Sequence, residues 1–284
     1  MKIFNYFIQS FFVYIFFIVG KIVGLSFSRK IFSRLFCFLG PIFKSKKILE
    51  NNLHTFKKDI SDNKKKEIIF NMWNNYGSTF IEYIFLNYFR KNNSHISFIG
   101  EEKLNKVISK GKPVIFISGH FANFELMSME ITKKNIKLAT IYRPLNNIFL
   151  NPFMEFIRKK YVCQNQVKKG IHGLKDAVNY IKNGFSLALM VDQRLGEGEK
   201  VKFFNKLAST TTLPAQLAIK YQLSIIPVFI ERTDKNDFII EFFDEVKGSN
   251  FKDKLDLTEK LNMIIEGMII RNPNQWIWTH NRWK

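Results

Sequence analysis

The sequence predicts an α/β fold with a mostly parallel central sheet flanked by helices and an N-terminal membrane-associated helical segment. Short apolar runs such as PVIFIS at 113–118 alternate with segments of helical periodicity, which predicts the sheet and its helices. Strands separated by helices pair in parallel, because a parallel connection needs a long crossover. An aromatic, nearly uncharged run at 3–20 predicts the membrane-associated segment.

The predicted elements alternate along the chain from residue 62 onward. Helices are expected at 62–90, 124–134, 173–184, 212–222 and 256–271, and strands at 113–118, 136–144, 185–193, 223–232 and 237–246. Pro144 ends the second strand, and Gly184 ends the helix after it. The last two strands follow each other without a helix between them, which favours an antiparallel edge pair.

Residues 1–25 are predicted to form a membrane anchor or an interfacial helix, followed by a single catalytic domain over residues 26–284. The apolar run is about as long as the shortest segment that crosses the hydrocarbon core, although Asn5, Gln9 and Ser10 weaken it. Lysine and arginine residues are concentrated after this run, which predicts that the bulk of the chain lies in the cytoplasm. An aromatic core helix of a soluble protein is the alternative interpretation.

The formal net charge of +20 predicts an anionic partner, such as a membrane surface, a phosphorylated lipid or an acidic protein. No RNA-recognition motif, zinc-finger spacing or basic zipper accompanies the charge, so we expect no nucleic-acid partner. The two cysteines, Cys37 and Cys163, are far apart and lack metal-ligand spacing. A disulfide framework is therefore not expected, and a reducing compartment fits.

One short motif carries chemistry: SGHFANFE places His120 directly after a predicted strand and Glu125 five residues later. On one regular helix these two side chains would diverge by about 140°. With His120 in the turn and Glu125 in the first helical turn, the carboxylate is expected to accept the imidazole N–H, which leaves the other nitrogen to act as a base. Asn123 is placed to cap the helix that follows. The same spacing also occurs in ordinary turns.

Several ordered blocks identify a resemblance that covers nearly the whole chain. They are FIGEEKL, GKPVIFISGHFANFEL, IYRPLNN, LMVDQR, VKFFNKLASTTTLPAQLA, IIPVF and NPNQWIWTHNRWK. In these blocks the sequence resembles the lipid A biosynthesis acyltransferases of the lauroyl/myristoyl type. Two residues depart from the family pattern, because Ala122 and Asn205 stand where glycine is common. Both departures are expected to alter the acyl or acceptor pocket without removing the catalytic pair.

The resemblance implies an enzyme of the bacterial inner membrane, with its catalytic domain on the cytoplasmic face and no metal or other cofactor. It implies transfer of a fatty acyl chain from acyl carrier protein to a hydroxyl of a phosphorylated glycolipid. By the same resemblance, His120 matches the general base and Glu125 its acidic partner.

Further residues are expected to bind substrate because they follow predicted strands or lie in the motif. Arg143 suits a lipid phosphate or the thioester oxyanion. Asp192, Gln193 and Arg194 are expected to position the acceptor or brace Arg143, and Asn123 is placed with them. The tryptophans of WIWTHNRWK predict an interfacial edge, with core tryptophans as the alternative.

The sequence is also compatible with other functions. An acyltransferase acting on a lysophospholipid, an amino lipid or a mannosylated lipid would carry the same histidine motif. A non-enzymatic basic membrane-bound scaffold would explain the charge and the anchor but would leave His120 idle. A metal hydrolase and a serine hydrolase are disfavoured, because H-E-x-x-H and G-x-S-x-G are absent from the sequence.

Overall fold

The computed structural model describes residues 1–284, apart from the side chain of Ile171. Its helices are α1 (Lys2–Val23), α2 (Leu25–Phe43), α3 (Lys46–Phe56), α4 (Asp62–Glu82), α5 (Leu86–Lys91), α6 (Glu101–Ile108), α7 (Glu125–Lys133), α8 (Asn151–Ile157), α9 (Ile171–Lys182), α10 (Leu213–Tyr221) and α11 (Lys254–Arg271). A π-helical turn, Arg158–Val162, continues α8, and a 3₁₀ turn, Tyr83–Phe85, joins α4 to α5.

The strands are β1 (Ile96–Ile99), β2 (Val114–Ser118), β3 (Leu138–Tyr142), β4 (Asn165–Lys168), β5 (Ser186–Met190), β6 (Glu199–Phe203), β7 (Lys206–Thr210), β8 (Ser224–Arg232), β9 (Phe238–Phe242) and β10 (Val246–Lys247). The main sheet has the order β1-β9-β8-β2-β5-β3-β4, and β10 pairs with β8. Strands β8, β2, β5, β3 and β4 run parallel, whereas β9 is antiparallel to β8. The predicted α/β class and the parallel sheet are confirmed, and β8 and β9 form the predicted antiparallel pair. This pair does not lie at the edge of the sheet, because β1 pairs in parallel with β9 beyond it.

The centre of the sheet is buried on both faces, which explains why its strands read as continuous apolar runs rather than as alternating ones. Every residue of β2 is buried, and so are the first four residues of β5. Helices cover both faces of such a sheet, so both sets of side chains lose contact with water.

Some strands were absent from the prediction. β1 and β4 are four-residue strands at the two ends of the sheet order, and β4 reads NQVK. β6 and β7 form a separate hairpin whose first strand, EKVKF, is rich in lysine. Short strands at an edge bury few side chains, so they carry little apolar pattern.

The N-terminal segment consists of two helices, because Gly24 takes a left-handed conformation with φ of 80° between α1 and α2. With a mean hydropathy of 1.9, α1 is long and apolar enough to cross a membrane. One face of α1 packs on the rest of the protein, where the Phe17 ring lies 5.2 Å from the Phe80 ring and 5.6 Å from the Phe153 ring. Its opposite face exposes large apolar side chains. The predicted domain boundary after residue 25 stays a prediction.

Candidate functional site

Three neighbouring strands bring the main candidate residues to one edge of the sheet. In the order β2-β5-β3, the chain leaves the carboxyl end of each strand towards His120, Asp192 and Arg143 respectively. Ligands of parallel α/β sheets bind at this edge, because the loops after neighbouring strands converge there. The sheet therefore gathers side chains that lie 72 residues apart in sequence.

The imidazole of His120 is held by Asp192. Nδ1 of His120 lies 2.7 Å from Oδ1 of Asp192, and the backbone N–H of His120 donates to Oδ2 at 2.9 Å. Because a carboxylate can only accept, Nδ1 carries the proton of this bond. The ring of Phe124 packs against the imidazole at 4.7 Å between centroids. In the neutral imidazole, Nε2 is then the nitrogen without a proton, and the His120 side chain is one-fifth exposed.

Asp192 is buried and ionised. Its burial opposes ionisation, but the positive charge of His120 in its protonated form, the hydrogen bonds from His120 and the indole N–H of Trp276 at 2.8 Å lower its pKa to about 2. Trp276 and Trp278 are fully buried, and so is Arg282, which donates to backbone and hydroxyl oxygens in β7. The interpretation of this C-terminal segment as an interfacial edge was wrong, because the segment closes the core behind the site.

The expected hydrogen bond between His120 and Glu125 is not present in the structure. Glu125 is the first residue of α7, as expected, but its Oε1 accepts from Nε of Arg158 at 2.8 Å, from Nη2 at 2.5 Å and from the hydroxyl of Tyr83 at 2.9 Å. Both partners of this ion pair are mostly buried. Burial and the Glu125 charge raise the pKa of Tyr83, so its hydroxyl stays a donor. The carboxylate that contacts His120 comes instead from the end of β5.

The loop that follows His120 is fixed from behind by α4. Nδ2 of Asn123 donates to Oε2 of Glu82 at 2.9 Å, and the hydroxyl of Thr79 donates to the carbonyl of Ala122 at 3.0 Å. Asn123 is buried, and no side-chain hydrogen bond caps the start of α7. The predicted capping by Asn123 was therefore wrong, and its side chain anchors the loop to α4.

Glu82 is fully buried and lies at the centre of a charge network whose two arginines are mostly buried. Arg29 donates to Oε1 of Glu82 at 2.6 Å, and the guanidinium of Arg232 donates to both carboxylate oxygens. Burial opposes ionisation of Glu82, but the two arginines hold its pKa below the ordinary value. The network joins α2, α4, β8 and the loop after His120, so Glu82 connects α2 directly to the loop of the site.

Replacement of Glu82 by glutamine is expected to lower the free energy of unfolding by about 3–5 kcal/mol, because two buried guanidinium groups would lose their counter-charge. Glu50→Gln is the matched control, since Glu50 pairs with Lys46 at 3.7 Å on the surface and both side chains are exposed. We expect a change below about 1 kcal/mol for the control. Denaturant unfolding in detergent measures the free energy of unfolding of both variants. Equal losses of stability in Glu82→Gln and Glu50→Gln would contradict a structural role for the network.

A cavity of about 440 Å³ opens beside His120. Apolar side chains and a group of polar and charged side chains line it, and the latter include His120, Glu125, Arg143, Arg158, Lys169, Gln193, Arg194 and His280. A volume of this size is typical of a pocket for a small molecule or for part of a larger substrate. The mixture of apolar wall and positive charge suits a ligand that carries both hydrocarbon and anionic groups.

The cations of the cavity lack carboxylate partners, with the exception of Arg158. Arg143 is exposed at the end of β3, and neither it nor Lys169 has an ion pair among the residues that the structure describes. Desolvation and then the charge of Arg143 lower the pKa of Lys169. Nε of Arg194 is buried and has no hydrogen-bond partner in the described part of the chain. These cationic side chains can therefore bind an anion without first breaking an ion pair with a carboxylate of the protein.

The residues predicted to bind substrate fall into two groups. Arg143, Gln193 and Arg194 line the cavity. Asp192 and Asn123 lie behind it, where Asp192 orients His120 and Asn123 holds its loop. The expected bracing of Arg143 by Asp192 is absent.

Sequence reasoning missed Arg158, Tyr83, Lys169 and His280. Lys169 follows β4, an edge strand that was not predicted, and Arg158 lies in the π-helical turn after α8. His280 accepts the backbone N–H of Arg194 at 3.4 Å, and burial lowers the pKa of His280. The run RKKY at 158–161 was a visible signal for Arg158, but nothing in it distinguished Arg158 from the neighbouring lysines.

Both departures from the family pattern lie at left-handed backbone positions. Ala122 has φ of 41° in the loop after His120, and Asn205 has φ of 57° in the turn between β6 and β7. Glycine takes this conformation without a steric cost, which explains its use there. Neither residue lines the cavity. The expectation that Ala122 and Asn205 alter the pocket was therefore wrong. The two residues shape turns instead.

Within the described residues, no group of three or more histidine, cysteine, aspartate and glutamate side chains could hold a metal ion. The site consists of a histidine with a buried carboxylate, a second buried carboxylate paired with Arg158, and unpaired cations. Such a set can transfer protons and bind anions.

The chain is similar to known proteins in sequence and in structure. The family model described as bacterial lipid A biosynthesis acyltransferase matches residues 1–284. A lipid A biosynthesis palmitoleoyltransferase of Escherichia coli (strain K12) and a lipid A biosynthesis acyltransferase of Shigella flexneri are each 24% identical over 190 residues. Each match covers 65% of this chain and 60% of the relative, which is less than two thirds of the relative's length.

A solved structure is also similar at the level of the backbone. It is the crystal structure of a 1-acyl-sn-glycerophosphate (LPA) acyltransferase from Thermotoga maritima, with 14% identity and a TM-score of 0.43. The likeness covers 89% of this chain and 100% of that chain.

Proposed function

We propose that this chain, which belongs to the bacterial lipid A biosynthesis acyltransferase family, is a membrane-associated enzyme that moves a fatty acyl chain from an acyl carrier protein thioester to a hydroxyl of a lipid A precursor. The observation that carries the proposal is the pair of His120 and Asp192 beside a cavity that combines apolar walls with unpaired cations. A phosphorylated glycolipid and a fatty acyl chain together present these two chemistries.

In the proposed reaction, His120 acts as the general base. Its Nε2 removes the proton of the acceptor hydroxyl while the hydroxyl oxygen attacks the thioester carbonyl carbon. The carbon–sulfur bond then breaks, the new ester bond remains, and the leaving sulfur receives the proton from the imidazolium. Asp192 keeps the other proton on Nδ1 and stabilises the imidazolium that forms. Because the pKa of Asp192 is about 2, this carboxylate is charged throughout the neutral pH range.

The cations of the cavity are assigned to the anionic groups of the reaction. Arg143 and Arg194 bind a phosphate of the acceptor or the oxyanion that develops on the thioester, with Gln193 beside them. Glu125 stays in the proposal as a site residue, but its partner is Arg158 rather than His120. Its Oε1 holds the guanidinium at the cavity wall, and Glu125 itself lines the cavity.

The proposed donor is acyl carrier protein, because an acidic protein complements a chain with a net charge of +20. Attraction of this kind weakens as salt screens it over about 8–10 Å. The proposed location is the bacterial inner membrane, with the catalytic domain on the cytoplasmic face. The apolar helix α1 and the basic residues that follow it support this orientation.

The test supplies labelled acyl carrier protein and compares a tetra- or penta-acylated lipid A precursor with a lysophospholipid as acceptor. We expect transfer to the lipid A precursor at the higher rate, because it carries several anionic groups for the cavity cations. The advantage of acyl carrier protein over a coenzyme A thioester should shrink as salt rises. Preference for the lysophospholipid, or for the coenzyme A donor at every salt concentration, would contradict the proposal and favour an acyltransferase of another lipid.

A further inference from the structure

Four exposed apolar side chains belong to one stretch of the chain, which runs from the cavity mouth past α1 into α8. They are Leu145, Ile148 and Phe149 in the loop after β3 and Phe156 in α8, and we call them the loop patch. Their exposed fractions are 40%, 56%, 37% and 56%. Leu145 also lines the cavity, so the loop patch reaches the cavity mouth. Exposed apolar clusters of this kind mark a surface that another apolar body covers.

The loop patch is continuous with the exposed face of α1. The ring of Phe7, itself 54% exposed, packs edge-on against the ring of Phe149 at 5.7 Å between centroids. α1 is the helix that is long and apolar enough to cross a membrane. A bilayer that covers the exposed side of α1 at Phe7 would therefore also meet Phe149.

Hydrogen bonds hold the loop patch against α1. Asn147 is buried, and its Oδ1 accepts from the hydroxyl of Ser10 at 2.9 Å while its Nδ2 donates to the carbonyl of Tyr6 at 2.9 Å. The same Oδ1 accepts from the backbone N–H of Phe149 at 3.0 Å, and the hydroxyl of Tyr14 donates to the carbonyl of Phe149 at 2.8 Å. The hydroxyl of Ser10, a polar residue that weakens α1 as a span, lies between two acceptors, the carbonyl of Tyr6 in α1 at 2.6 Å and Oδ1 of Asn147 in the loop at 2.9 Å.

Basic side chains border the loop patch. Lys159 and Lys160 are exposed directly after α8, and Nζ of Lys160 lies 5.3 Å from the ring of Phe156. Arg143 is also exposed, two residues before Leu145 in the loop after β3. An apolar centre with a basic border matches an anionic membrane surface, where acyl chains lie beneath negative headgroups.

We propose that the loop patch is a second bilayer-contacting surface, which acts with α1 to hold the mouth of the cavity against an anionic lipid bilayer. The occupant is the bilayer itself, because the patch continues a helix of membrane-spanning composition and has a basic border. The proposal deepens the proposed function, on which it rests for the lipid nature of the substrate. An acceptor lipid can then keep its acyl chains in the bilayer while its hydroxyl reaches His120.

The test places a tryptophan reporter in the loop patch and a matched one elsewhere. Ile148→Trp is the reporter, and Ile99→Trp is the control, because Ile99 is the same residue type with an exposed fraction of 50%. β1 is parallel to β9, which is antiparallel to β8, while β8 is parallel to β2. Ile99 at the end of β1 therefore lies at the sheet edge opposite to His120.

Both full-length variants are reconstituted in phosphatidylglycerol-containing vesicles with or without bromine on the acyl chains. We expect brominated chains to quench most of the emission that Ile148→Trp adds over the parent protein, and to leave the emission added by Ile99→Trp unchanged. Equal quenching of both reporters, or no quenching of Ile148→Trp in vesicle-bound protein, would overturn the proposal. A blue shift of the Ile148→Trp emission that grows with protein concentration without vesicles would also overturn it, in favour of a second copy of the chain.

This readout does not depend on acyl transfer. Intact quenching of Ile148→Trp together with failure of the acceptor assay would contradict the proposed function and leave the bilayer contact standing.

Discussion

Replacement of His120 by alanine is expected to lower the rate of acyl transfer by about 10²–10⁴-fold, because an acceptor hydroxyl is a poor nucleophile without a positioned base. The measurement is the transfer of a labelled acyl group from acyl carrier protein to a lipid A precursor in detergent. His120 lines the cavity, and among the described residues its side chain hydrogen-bonds to Asp192 and packs on the Phe124 ring. The substitution should therefore leave the fold intact.

His54→Ala is the matched control for this prediction. His54 is an exposed histidine in α3 and lies outside the cavity. Its replacement should leave the transfer rate unchanged. Near-parent turnover by the His120→Ala protein would end the proposed mechanism and would favour a non-enzymatic role for the site.

Replacement of Asp192 by asparagine is expected to lower kcat by about 10²–10⁴-fold with little change in the KM for the acceptor, because Asp192 lies behind the cavity and acts through His120. An asparagine amide can donate to Nδ1 of His120, which would move the imidazole proton to Nε2 and remove the base. It would also leave the imidazolium without a counter-charge. Rates at saturating and limiting acceptor separate the two parameters.

Two controls accompany this variant. Asp244→Asn removes a carboxylate that is 85% exposed and pairs with Lys103 at the surface, and its kcat should equal that of the parent protein. Glu125→Gln weakens the bond to Arg158 but leaves the contact between His120 and Asp192 in place. A larger loss of kcat in Glu125→Gln than in Asp192→Asn would restore Glu125 as the partner of His120 during the reaction.

The fold was largely predictable because its central strands are long enough and apolar enough to carry a pattern. The run VIFIS of β2 is buried on both faces and is flanked by turn residues. The sequence therefore predicted both that this segment is a strand and where the strand ends. Because parallel strands gather their carboxyl ends at one edge, the positions of His120, Arg143 and Arg194 near one another followed from that reading.

The partner of His120 could not be predicted, because it depends on the order of strands in the sheet. β5 lies beside β2, although β3 and β4 come between them in the chain. This adjacency brings Asp192 to His120, whereas sequence proximity favoured Glu125. The position of Glu125 at the start of α7 was predicted, but its direction is set by Arg158 in the π-helical turn after α8. The C-terminal tryptophans were ambiguous for a similar reason, since the buried indole N–H of Trp276 donates to Asp192, which lies 84 residues away in the chain.

The central claim is that Asp192 acts through His120 in acyl transfer, and a double-mutant cycle tests it most directly. The transfer rates of His120→Ala, Asp192→Asn and the double variant are compared with that of the parent protein under identical conditions. If Asp192 serves only to orient His120 and to stabilise its imidazolium, the double variant should be no slower than His120→Ala alone. The effects of replacing residues that act as a unit are strongly non-additive. A double variant whose loss equals the product of the two single losses would contradict the account.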